Sequence, residues 1–103
     1  ARRPGDFALV GLVGALAIAE GRIERAGIAW FGMGPTPMRA RQAEQELICQ
    51  AIDRIDVQAI ADLAIADSAP FDDSHASAAY RRSVGRRIFA SSLAQALDRR
   101  LVA

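Results

Sequence analysis

The sequence predicts an α+β fold, a small antiparallel β-sheet packed beside a three-helix bundle. Three observations lead there. Glycine recurs at positions 5, 11, 14, 21 and 27 in the first third of the chain. Interior glycines cost a helix about 1 kcal/mol each relative to alanine, so this region reads as extended. The stretch Gly32-Met33-Gly34-Pro35-Thr36-Pro37 then interrupts the chain. Beyond it, apolar residues return at spacings of three and four, which is the helical period. The expected organisation is a single domain of 103 residues, with a β-hairpin over 1–34 and three helices over 35–103.

Phe7–Ala19 is thirteen residues without a charge and reads as a buried strand. Arg22–Met33 is its partner, and Glu20-Gly21 between them is a tight turn that needs tolerance of positive φ. Ile28 and Trp30 share one face of the second strand while Ile23 falls on the other. A bulge near Ala26-Gly27 would restore the register. Pro37 suits a first helical turn, where its missing N–H is not needed, and the first helix is expected over Arg39–Ala51 through Ala40, Ala43, Leu47 and Ala51. The second helix is expected from an Asp56 N-cap to Asp67, with Val57, Ile60, Leu63 and Ala64 as its stripe. The third runs from about Ser77 to Val102. Its stripe is Tyr80, Val84, Ile88, Phe89, Leu93, Ala96, Leu97 and Leu101.

Composition narrows function by exclusion. Thirteen basic residues, all arginine, face twelve acidic ones, for a net charge of +1. No lysine is present to form a Schiff base, and a neutral balance does not favour nucleic acid as a partner. One cysteine and one histidine fall short of the roughly four ligands of a structural zinc site. The longest apolar run is shorter than the ~18 residues that suggest a membrane span. Arg2 and Arg3 precede it, but the layout of a signal peptide is lacking. A cytoplasmic location is expected, and the initial Ala1 suggests a fragment of a longer protein.

Four features invite a chemical reading. Gly32-Met33-Gly34-Pro35 resembles an anion-binding loop, but Pro35 and Pro37 remove two N–H donors, which favours a rigid corner. Asp72-Asp73-Ser74-His75 holds acid–base groups with no nucleophile, and its place before the third helix favours capping. The arginine pairs 81/82, 86/87 and 99/100 lie largely off the apolar stripe, as a solvated or docking face. Cys49, beside Leu47 and Ile48, reads as a buried, inert thiol. No catalytic, cofactor-binding or metal-binding residue emerges.

A resemblance carries the reading further. Arg3-x-Gly5-Asp6-Phe7-Ala8 opens the chain, followed by the glycine-rich hairpin and Gly34-Pro35-Thr36-Pro37-x-Arg39-Ala40. Glu44 or Glu46 with Leu47 comes next, then Pro70-x-Asp72-Asp73 and Ser77-x-x-Tyr80-Arg81-Arg82. In this order the motifs are similar to the C-terminal domain of the FAD-binding (medium) subunit of molybdenum hydroxylases, the carbon monoxide dehydrogenase and xanthine dehydrogenase group. That family places a glycine after the leucine of the first helix. Here Ile48, Cys49 and Gln50 follow Leu47, so the helix is expected to continue to Ala51. The family also places a first strand before the position of Arg2, and the hairpin is expected to lack it.

The resemblance implies a non-catalytic domain of an electron-transfer subunit with a structural and docking role. It implies FAD in the full-length subunit, bound mainly by upstream domains, and no cofactor in this chain alone. Its implied partners are a large subunit with the molybdenum cofactor and a small iron–sulfur subunit. Arg39, Tyr80, Arg81 and Arg82 are the residues expected to make structural or docking contacts. An unpaired strand edge would drive the isolated chain to a homodimer. Two alternatives remain open at this point, a free-standing α+β interaction module and a small RNA-binding domain.

Overall fold

Turn chemistry sets the first element pair. In the computed structural model, which describes residues 10–72 and 76–102, β1 (Gly11–Ala19) and β2 (Arg22–Phe31) pair antiparallel around Glu20-Gly21. Both turn residues take positive φ, 54° and 73°, the geometry that matches the twist of a two-residue hairpin. Phe7, Ala8 and Leu9, expected in the first strand, lie outside the described residues.

The bulge exists, but at a different place from the one expected. Ala17 pairs with Arg25 and Ile18 with Ile23, leaving Glu24 as the extra residue. Gly27 lies within a regular register, opposite Ala15. Glu24 is exposed, so its side chain stays in water while the bulge turns Ile23 inward. Ile23, Ile28 and Trp30 therefore share the core, which strict alternation forbids.

β2 ends at Phe31 rather than Met33. Gly32 turns the chain at φ 77°, and Met33 is fully buried. A two-residue strand unseen in the sequence, β3 (Met38–Arg39), then pairs antiparallel with Trp30 and Ala29. The sheet order is β1-β2-β3. Pro37 accordingly precedes a strand instead of opening a helix. The helix starts later, at α1 (Arg41–Leu47), because the Ala40 N–H donates to the Ile28 carbonyl at 3.0 Å.

α1 also stops early. Ile48 is extended and Cys49 takes φ 74°. The Cys49 N–H donates to the Ile23 carbonyl at 2.8 Å, and the Ile23 N–H donates to the Gln50 carbonyl at 3.0 Å. These bonds draw the chain along β2, so it leaves the helix well before Ala51. Cys49 is exposed, which corrects the expectation of a buried thiol.

A short 3-10 turn, Ile52–Arg54, leads to α2 (Val57–Ala66). Asp56 caps α2 as expected, its Oδ1 accepting from the N–H groups of Gln58 at 3.1 Å and Ala59 at 3.2 Å. α3 (Ala78–Val102) begins where Ser77 Oγ accepts the Tyr80 N–H at 3.0 Å. Asp72 Oδ1 accepts the Ala78 N–H at 2.6 Å, which is the capping role foreseen for its cluster. Asp73, Ser74 and His75, and the side chains of Arg99, Arg100 and Leu101, lie outside the described residues.

Trp30 joins the layers. Its indole N–H donates to the Ala64 carbonyl of α2 at 3.0 Å, and its ring lies 5.9 Å from that of Phe89 in α3. Gly85 lets α3 approach closely, because a Cβ there would meet Met33 Cε at 2.9 Å. The α3 stripe is confirmed at Phe89, Leu93 and Leu97, which are buried. Tyr80 is corrected, being 51% exposed, and the buried residue of the first turn is Arg81.

Candidate functional site

The residues predicted to dock or support partners fall in two places. Arg39 lies in β3, while Tyr80, Arg81 and Arg82 lie in the first turns of α3. Their roles differ physically.

Arg39 neutralises a buried carboxylate. Its Nη2 meets Glu44 Oε1 at 2.6 Å and its Nε meets Oε2 at 3.2 Å, a two-pronged pair. Glu44 is only 5% exposed, and its Oε2 also accepts the Ile28 N–H at 2.8 Å. The carboxylate thus closes a gap in the β2 ladder beside the short β3. Stranding a buried N–H there would cost about 1–3 kcal/mol. Arg39 and Glu44 are five residues apart across a strand–helix boundary, so neither strand nor helix periodicity reveals the pair.

Arg81 is 5% exposed, against the expectation of a solvated face. Its guanidinium sits 5.5 Å from the centroid of the Phe71 ring, and its Nη1 donates to the Phe71 carbonyl at 3.3 Å. It pins the loop before α3 to the helix. Tyr80 presents its ring outward. Arg82 lines a groove of about 380 Å³ between α2 and α3, with Asp62, Ile65, Ser83, Arg86 and Arg87. Arg86 Nη2 pairs with Asp62 Oδ1 at 2.8 Å. Phe71 and Asp62 were missed in the sequence, since each acts through a partner far along the chain.

A second cleft, about 450 Å³, opens between the hairpin and α3. Leu12, Leu16 and Ile18 of β1 face Phe89 and Leu93 across it, and Ser92 is its single polar side chain. It offers no charged group for a dinucleotide phosphate. At the Gly32–Pro37 corner Met38 packs close against Gly34, so that a Cβ there would collide with the Met38 sulfur. The corner is filled from within by Met38. Among the described residues, no three metal-ligating side chains cluster and no helix is long and apolar enough to cross a membrane.

Comparison with known proteins agrees with this architecture. The family model for the CO dehydrogenase flavoprotein C-terminal domain matches residues 1–96. The 6-hydroxypseudooxynicotine dehydrogenase complex subunit alpha of Paenarthrobacter nicotinovorans is 36% identical over 99 residues, covering 95% of this chain and 33% of that protein. The crystal structure of quinoline 2-oxidoreductase from Pseudomonas putida 86 superposes with a TM-score of 0.80 at 30% identity, over 95% of this chain and 34% of its own. Carbon monoxide dehydrogenase from Hydrogenophaga pseudoflava gives 0.80 at 30% identity, over 94% and 34%. The chain spans about a third of the length of these relatives. A three-stranded sheet clamped to three helices, matched over nearly its whole length in sequence and in shape, places this chain in the CO dehydrogenase flavoprotein C-terminal domain family.

Proposed function

We propose that this chain is the non-catalytic C-terminal domain of the FAD-carrying electron-transfer subunit of a cytoplasmic molybdenum hydroxylase. The family match over residues 1–96 carries the reading. In this reading, a large subunit with the molybdenum cofactor and a small iron–sulfur subunit are its partners. A relative named as one subunit of a dehydrogenase complex supports that assembly. In this reading FAD is bound mainly by other domains of the subunit, and the apolar cleft carries no charged side chain among its lining residues. The domain's own part is mechanical. Arg39 and Arg81 stiffen it through Glu44 and Phe71, and Tyr80 and Arg82 face outward to meet neighbours.

The test is a flavin titration followed by absorbance in the flavin bands. The isolated chain is expected to remain colourless, and the full-length subunit to purify yellow. Tight, stoichiometric binding by the chain alone would overturn the assignment of FAD to other domains. A full-length subunit that takes up no flavin would overturn the flavoprotein reading itself.

A further inference from the structure

The charges of this nearly neutral chain are segregated. α3 carries six arginines and one acidic residue, Asp98, whereas residues 1–77 carry seven arginines and eleven acidic residues. On the α2-facing side of α3, Arg82, Arg86 and Arg87 crowd one groove. Arg82 and Arg86 are one helical turn apart, where like charges repel each other. Asp62 answers only Arg86. Arg82 and Arg87 are exposed and form no ion pair among the described residues. The groove also contains Ile65 and Ser83, so its floor is partly apolar.

We propose that this face docks an acidic helical segment of a partner polypeptide, with carboxylates about one turn apart answering Arg82 and Arg87 while Asp62 keeps Arg86. The inference deepens the docking role proposed above and rests on it for the partner's place in a complex. Guanidinium groups form planar forks that match carboxylates in pairs. Ile65, half-buried in the groove, offers the segment an apolar contact beside those pairs. A nucleic acid fits less well. Its phosphate track needs an extended basic stripe, whereas this patch is short, contains Asp62 and belongs to a molecule whose remaining surface is net acidic.

The probe is a fluorescein-labelled, alanine-rich helical peptide with glutamate at every fourth position, titrated into the chain at low salt by anisotropy. Saturable binding is expected. It should weaken about tenfold in the Arg82→Ala/Arg87→Ala double variant and disappear when the peptide's glutamates are replaced by glutamine. Arg25→Ala, an exposed arginine on β2, should bind as the parent chain does. Near-ultraviolet signal from the buried Trp30 confirms that each variant is folded. Equal affinity in the double variant, or equal binding of the glutamine peptide, overturns the proposal. Tighter, Arg82-dependent binding of a single-stranded RNA also overturns it, in favour of a nucleic-acid face. Flavin content of the full-length subunit separates the two levels. A colourless subunit removes the flavoprotein reading and leaves the peptide result standing, while a yellow subunit whose chain ignores the peptide removes only this face.

Discussion

Cys49 holds a backbone conformation that its side chain disfavours. At φ 74° it occupies the left-handed region, which costs a residue with a Cβ about 1–2 kcal/mol. The position is fixed from both sides, by the bond from its N–H to Ile23 and by Arg22 Nη1 donating to its carbonyl at 2.9 Å. Glycine would remove the strain but add freedom to the unfolded chain, about 0.5–1 kcal/mol in the opposite direction. Cys49→Gly is therefore expected to raise stability by about 0.5–1 kcal/mol, measured by urea unfolding. A loss of stability would show that the exposed thiol makes a contact worth more than the strain. The sequence hid this position for a physical reason. Leu47, Ile48 and Cys49 continue a helical pattern locally, and the bonds that end the helix come from β2, more than twenty residues earlier. Glu44 was hidden in the same way, since its acceptor role depends on Ile28 and Arg39 in two other elements.

Elements whose burial follows from their own periodicity were readable, and those created by neighbours were not. α2 has its cap at Asp56 and its buried face at Ile60 and Ala64, as the spacing predicts. β3 is two residues long and exists because β2 offers an edge, so no pattern of its own announces it. α3 shows both cases. From Phe89 onward its stripe meets Trp30 and the hairpin, while Tyr80 lies in a first turn where Arg81 turns inward over Phe71. Two truncations on this one helix test the boundary. Phe89→Ala should cost about 3–5 kcal/mol, because the ring is buried against the indole. Tyr80→Ala should stay within about 0.5 kcal/mol. Similar shifts in melting temperature for the two variants would mean that the buried face of α3 begins a turn earlier than described.

The molecule measures 46 × 28 × 19 Å, a flat body whose sheet, among the described residues, ends at β1. Among the described residues no strand pairs with the outer edge of β1, so a row of its N–H and C=O groups faces outward. Natural sheet edges usually carry charge, proline or a cover that blocks further pairing. β1 carries no charged residue and no proline along Gly11–Ala19, and Val13 is 62% exposed. The even-numbered residues Leu12, Leu16 and Ile18 turn toward the cleft with α3, so Val13 lies on the other face, free to meet a neighbour. Edge pairing between two copies would extend the sheet through an isologous contact, the commonest symmetry of small oligomers. The isolated chain is accordingly expected to dimerise, with a mass by light scattering that rises across a concentration series. Val13→Arg places a charge on the edge strand while leaving the core and the cleft unchanged, and it should return the chain to a folded monomer whose melting temperature no longer rises with concentration. A parent chain whose mass stays monomeric at every concentration would refute the open-edge argument. A dimer that survives Val13→Arg would move the contact away from β1, leaving the basic face of α3 against the acidic remainder as the surface to test next, through the salt dependence of the dimer.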